Sequence, residues 1–163
     1  MNYHKIEKTS IANGMGIRVV LWCSGCRLKC KNCHNPQTWD FSSGKPFDIT
    51  AKAELFEALN KPYIQGLTFS GGHPFEPENI DEVISLAKEI KEKLPEKDIW
   101  LYTGYTFEEI VNCNGLKYID IIIDGPYIDE QRDLTLKFCG SRNQRLIDVQ
   151  QTLTRGEITL WNG

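Results

Sequence analysis

Four short apolar runs punctuate the chain, and each is cut off by residues that break structure or carry chemistry. They are Ile17 to Trp22, Gly66 to Ser70, Asp98 to Thr103 and Tyr118 to Ile123. Their lengths and their branched and aromatic residues predict strands. The first leads into a polar, cysteine-rich stretch that lasts to about Pro46, and the second into Gly71-Gly72-His73-Pro74. The third ends in Tyr102-Thr103-Gly104-Tyr105 and the fourth in Asp124-Gly125-Pro126-Tyr127. Helical patterns lie between them. Asp48 or Thr50 is placed to cap a helix reaching about Asn60. Glu78 to Leu94 repeats apolar residues at helical spacing (Ile80, Val83, Ile84, Ala87, Ile90, Leu94) before Pro95 stops it. A short helix over Thr106 to Val111 and two last strands, Arg145 to Val149 and Glu157 to Trp161, complete the prediction. This alternation predicts an α/β fold with a mainly parallel sheet. With 163 residues, no internal repeat and no linker-like stretch, one domain over residues 1–163 is expected. In parallel α/β sheets the C-terminal ends of the strands share one edge, where sites are built. Four motifs far apart in sequence therefore converge.

Cysteine is the chemistry-bearing residue of the first motif. Of six cysteines, Cys23, Cys26, Cys30 and Cys33 are crowded together, while Cys113 and Cys139 stand apart. Met1 to Lys8 is polar and has no apolar signal-peptide core. No apolar stretch approaches the ~20 residues that span a bilayer. A cytoplasmic location is the resulting expectation, and in that reducing compartment a tight cysteine cluster points to metal rather than to disulfides. The formal net charge of -3, with no basic run, argues against nucleic acid or a membrane as the main partner. Thiolates are soft ligands for iron–sulfur clusters or zinc. Cys26-x3-Cys30-x2-Cys33 suits three irons of a cubane and leaves the fourth iron open. Zinc on all four cysteines, as the pairs Cys23-x2-Cys26 and Cys30-x2-Cys33, is the alternative that spacing leaves standing.

The other strand-end residues have two readings each. Gly71 and Gly72 form either a tight turn or a corner where backbone approaches a ligand. His73 is either a ligand contact or an ordinary exposed loop histidine. Asp124 either starts a turn or sits at the rim of the sheet to accept hydrogen bonds or hold a cation. His34, beside Cys33, is placed to stack on a flat ring or to donate near a cluster. Gly140 to Arg145 is dense in donors and fits either a carboxylate or partner-chain site or a solvated loop. Cys113 and Cys139 read as small buried residues or surface thiols.

Taken together, these residues resemble the radical S-adenosylmethionine (SAM) superfamily, whose hallmark C-x3-C-x2-C is matched by Cys26, Cys30 and Cys33. Within it, the sequence is similar to the activating proteins of anaerobic (class III) ribonucleoside-triphosphate reductases. The likeness runs from Met1-Asn2-Tyr3-His4 and Ile11-Ala12-Asn13-Gly14, through Cys33-His34-Asn35, Thr38-Trp39 and Ser70-Gly71-Gly72-His73-Pro74. It continues in Trp100 to Tyr105, Asp124-Gly125-Pro126 and Asn143-Gln144-Arg145. The resemblance implies a partial, open (β/α) barrel of radical SAM type. It implies a [4Fe–4S] cluster on Cys26, Cys30 and Cys33, with SAM chelated at the fourth iron. Reductive cleavage of SAM would then generate a glycyl radical on the large subunit of the reductase. The electron would come from a donor such as flavodoxin or a reductase system. SAM contacts are implied at Asn32, Cys33, His34, Gly71, Gly72, His73, Thr103 and Asp124, with no catalytic residue assigned beyond the cluster ligands. Two departures stand out: Asn32 replaces the frequent aromatic residue before the last cysteine, and Gly-Gly-His replaces Gly-Gly-Glu. Cys23 lies outside the hallmark.

Overall fold

The computed structural model describes residues Met1–Gly163. Its frame is one mixed sheet. β1 (Asn2–Ser10) and β2 (Ile17–Cys23) pair antiparallel. β3 (Lys45–Pro46) adds two residues to the outer side of β1. After helix α1 (Ile49–Leu59), β4 (Ile64–Gly71) returns parallel to β2. Helix α2 (Pro77–Lys93) crosses to β5 (Asp98–Tyr102), parallel to β4. The four-residue helix α3 (Phe107–Ile110) precedes β6 (Ile121–Asp124), parallel to β5. β7 (Arg145–Asp148) then runs antiparallel beside β6, followed by helix α4 (Val149–Arg155). The order is β3-β1-β2-β4-β5-β6-β7, an open sheet with a parallel centre and antiparallel margins. The expected α/β character holds, but the sheet is mixed rather than mainly parallel, because β1, β3 and β7 all join by antiparallel pairing.

Alternation along the strands separates two faces. Val19, Leu21 and Cys23 of β2, Leu67 and Phe69 of β4, and Ile99 and Leu101 of β5 enter the main core. There they meet Leu55 and Leu59 of α1 and Val83, Leu86, Ala87 and Ile90 of α2. The opposite face has no such helical cover. Trp100, Ile121 and Ile123 are packed there by Phe138 and Trp161. The fully buried Arg18 lies over the Trp100 ring at 5.2 Å and donates to Thr68 Oγ1 at 2.8 Å and the Leu67 carbonyl at 2.9 Å.

Three elements differ from expectation. β1 was not predicted, because its nine residues are mostly polar and show no clean alternation; antiparallel pairing with the apolar β2 holds it. Glu157 to Trp161 is not a strand: only Leu160 bridges to Ile147, and Trp161 packs on Trp100 at 5.0 Å. α4 begins where a strand was expected to end, since Asp148 caps it by accepting from Gln151 N at 2.9 Å. Asp48, not Thr50, caps α1, accepting from Ala51 N at 2.9 Å. No helix is long and apolar enough to cross a membrane.

Candidate metal centre

The parallel pairing of β2, β4, β5 and β6 brings their C-terminal ends, and all four motifs, to one edge of the sheet. Cys23 is the last residue of β2. It is fully buried in the core, where burial pushes its thiol up to about 12. The other three clustered cysteines lie on the loop beyond. Cys26 is buried, and Cys30 and Cys33 are half-buried. Each of these three follows a residue with positive φ: Gly25 (97°), Lys29 (45°) and Asn32 (56°). Such residues reverse the local curl of the backbone; glycine and Asn32 tolerate that conformation, whereas Lys29 adopts it at a cost that its surroundings must offset. The chain thus winds back on itself before each of the three loop thiols; Cys139, which follows Phe138 (62°), shares the feature but stands apart in sequence, while Cys23 and Cys113 lack it. Burial raises Cys26, while main-chain N–H groups of Leu28 and Lys29 act in the opposite direction by donating to its sulfur. Asn35 N donates to Cys33 Sγ at 3.4 Å. Donors to sulfur are a recognised means of stabilising cluster thiolates.

Neighbouring strand ends grip this loop closely. Gly71, at φ 102°, pairs with Cys23, and Gly72 N donates to the Cys23 carbonyl at 2.8 Å. His73 N donates to the Gly25 carbonyl at 2.8 Å. A Cβ on Gly72 would lie 2.6 Å from that same oxygen, and one on Gly104 would strike the Leu28 side chain. The missing Cβ atoms therefore make room for the cysteine loop itself. Asn79, buried in the first turn of α2, donates to the carbonyls of Ser24 (2.9 Å) and His73 (3.1 Å). Glu76, also buried, accepts from the main chain of Arg27. The far side of the loop meets the segment after β6: Lys31 pairs with Glu130 at 3.1 Å, Asn32 donates to Asp129 at 2.8 Å, and the exposed His34 leans on Tyr127 at 5.3 Å.

The structure corrects several side-chain expectations. His73 is no exposed loop histidine but is buried, with Nε2 2.9 Å from Thr103 Oγ1 and 3.3 Å from Gly104 N. Gly104 N–H can only donate, so Nε2 accepts, and the ring proton sits on Nδ1, which faces Glu76 at 3.4 Å. Burial holds the ring below its usual pKa. Thr103 Oγ1 also accepts from Tyr105 N at 3.1 Å. Asp124 is buried and takes the hydrogen-bond-accepting reading: it accepts from Phe107 N at 2.8 Å and from Arg145 Nε and Nη2 at 3.1 and 2.5 Å, so the cation it holds is the Arg145 guanidinium. The donor-dense stretch near Gly140 is a brace. Asn143 and Gln144 donate to the carbonyls of Pro126 and Gly125, at 2.7 and 3.1 Å. Glu76 and Asn79 escaped the sequence reading. Their signal was faint, a polar pair at helical spacing just after Gly-Gly-His-Pro.

The donor set suits an iron–sulfur cluster. No three His, Cys, Asp or Glu side chains converge as the ligands of one metal ion do. A cluster asks less of its thiolates, because each one binds its own iron. Zinc on four cysteines would have to draw the Cys23 sulfur out of the core. Residues 12–147 match the family described as a 4Fe-4S single cluster domain. The chain is 47% identical over 148 residues to the anaerobic ribonucleoside-triphosphate reductase-activating protein of Enterobacteria phage T4, covering 90% of this chain and 93% of that one. Its counterparts in Haemophilus influenzae and Escherichia coli K12 are 40% and 37% identical, each over 88% of this chain and 96% of their own. The chain belongs to the anaerobic ribonucleoside-triphosphate reductase-activating protein family. In this member, the region matching the cluster domain takes in all four strand-end motifs and stops within β7, so α4 and Trp161 lie beyond it.

Proposed function

We propose that this chain is a radical SAM activase that generates a glycyl radical on the large subunit of an anaerobic ribonucleoside-triphosphate reductase. The observation that carries the proposal is the loop on which Cys26, Cys30 and Cys33 each follow a left-handed residue at the shared strand edge, with Cys23 held apart in the core. These three thiolates would hold a [4Fe–4S] cluster. When bound, that cluster supplies the electron for cleaving SAM, whose 5′-deoxyadenosyl fragment takes a hydrogen from a backbone glycine of the partner. The electron itself comes from a donor such as flavodoxin or a reductase system.

The chain's own part is to hold, orient and exclude water. Asn32, Cys33 and His34 border the cluster loop on its exposed side and are assigned to SAM. Gly71 and Gly72 are assigned to its amino group through the backbone. His73, Thr103 and Asp124 act at one remove, because their polar atoms are already engaged inside the protein. One radical SAM domain over residues 1–163, a partial open barrel, leaves the lightly covered sheet face toward a macromolecular partner. The free thiols fit a reducing cytoplasm.

Anaerobic reconstitution tests the assignment. About four irons per chain are expected. Cys26→Ala, Cys30→Ala and Cys33→Ala each lose the cluster, and Cys23→Ala keeps it. Reduction with SAM should yield 5′-deoxyadenosine and, with the reductase present, a glycyl radical signal by EPR. An intact, reduced cluster that produces no 5′-deoxyadenosine would refute the activase assignment, and a Cys23→Ala protein without iron would refute the ligand set.

A further inference from the structure

The glycine-rich segment Gly71-Gly72-His73 carries no acid of its own, yet a buried carboxylate stands three residues after His73. Glu76 is 1% exposed and is the N-cap residue of α2, but its side chain makes no cap hydrogen bond. Glutamate is a poor cap, and this one turns away from the helix it begins. Its carboxylate points at the cysteine loop. Oε1 accepts from Arg27 N at 2.7 Å, Oε2 from Arg27 Nη1 at 2.7 Å, and Oε1 faces His73 Nδ1 at 3.4 Å. Burial alone would raise the Glu76 pKa, but the bonds from Arg27, together with the His73 ring beside it, outweigh burial and leave the carboxyl below its usual range.

Arg27 directly follows Cys26. Its guanidinium also pairs with Glu78 and lies over the Phe41 ring at 4.4 Å. Phe41 in turn fills the space beside Gly25. The segment Gly25-Cys26-Arg27 is thus held by Phe41 on one flank and by Glu76 on the other. Through His73, the same carboxylate reaches Thr103 and Gly104 at the end of β5. One buried anion therefore ties together the ends of β2, β4 and β5. The Arg27–Glu78 contact is exposed and contributes little, whereas a buried carboxylate bonded to a main-chain N–H fixes backbone position. The Cys30 and Cys33 half of the loop, apart from bonds within itself, meets the fold through the exposed contacts with Asp129, Glu130 and Tyr127.

We infer that Glu76 is a positioning residue: its carboxylate fixes the main chain at Arg27, and with it the Cys26 thiol, so that the cluster keeps its iron. This inference rests on the cluster assignment proposed above. Two measurements on the full chain separate them. In the cluster-free protein, Glu76→Gln should speed hydrogen exchange at the amides of Arg27 and Leu28. In the anaerobically reconstituted protein, it should speed removal of iron by a ferrous chelator about tenfold, the effect of one charge-assisted hydrogen bond. It should also shift the EPR signal of the reduced cluster. Arg27→Ala, which keeps the main-chain bond to Glu76, should have the smaller effect on both rates. Ile90→Ala serves as the comparison, because it destabilises the core without touching the loop. Unchanged amide exchange in Glu76→Gln overturns the inference, and so does an equal gain in chelation rate in Ile90→Ala. Faster amide exchange in a chain that takes up no iron would leave the positioning role standing and refute the cluster assignment instead.

Discussion

Gly72→Ala separates contact from backbone strain at the strand edge. Gly72 does not have positive φ, so alanine brings no conformational penalty of that kind. The new Cβ would instead sit 2.6 Å from the Gly25 carbonyl oxygen, with the Gly25 main chain close behind it. Backbone cannot rotate away as a flexible side chain can, so the loop must retreat. Two hydrogen bonds stand in the path of that retreat: Gly72 N to the Cys23 carbonyl and His73 N to the Gly25 carbonyl, both 2.8 Å. At ~1 kcal/mol net for each bond, the expected loss is about 2 kcal/mol. For a chain of this length, that corresponds to a fall of about 4–8 °C in the melting midpoint. The displaced residue is Gly25, next to Cys26, so iron retention should fall together with stability. Gly125→Ala is the matched comparison. Gly125 has φ 89°, but the nearest atom to its Cβ position is 3.5 Å away, so that variant meets strain without collision. It should lose stability and keep its iron. Thermal melts of the cluster-free proteins and iron content after reconstitution report the two effects. If Gly72→Ala binds iron as well as Gly125→Ala does, the glycine does not make room for the cysteine loop.

Two further outcomes follow from buried polar groups. Burial keeps His73 below its ordinary pKa, so the unfolded chain takes up that proton first. The stability contributed by the neutral ring is therefore present above the unfolded value of about 6.5 and is lost as pH falls from there toward the folded value. Urea midpoints measured between about pH 7 and pH 5 should decline on acidification, and His73→Gln should flatten that decline. Arg145→Ala strips two hydrogen bonds from the buried Asp124 and leaves only Phe107 N, which should cost about 3 kcal/mol in urea denaturation. Adding Asp124→Asn should recover part of that loss, because the orphaned charge is gone.

The sheet centre was legible because β2, β4, β5 and β6 are each apolar enough to be buried on both faces, and breakers end each one. From those strands alone, the convergence of the four motifs followed. β1 was not legible, since beyond its short pairing with β3 at Asn2 and Tyr3 it has only β2 beside it and can stay polar. Trp161 was misread as part of a strand because a buried aromatic residue has the same signature whether it lies in a ladder or caps a sheet face. At the site, the sequence marked Cys26, Cys30, Cys33, His73, Thr103 and Asp124 as unusual. It did not show that the last three are consumed by one another and by Arg145, because those pairings depend on side chains brought together from different strand ends. Glu76 was silent for a related reason. A glutamate opening a helix looks solvated until the fold places Arg27 and His73 around it.

The far half of the cysteine loop leans on residues made much later. Asn32 reaches Asp129 across a sequence separation of 97 residues. At translation rates of roughly 5–20 residues per second, about 5–20 s pass between the emergence of Cys33 and that of its support. Within that interval the grips from Gly72, His73, Glu76 and Asn79 are made first, so the Cys26 side of the loop is braced well before the Cys30 and Cys33 side. On the ligand set proposed above, the last brace of the loop forms only as synthesis nears its end, which places metallation after folding.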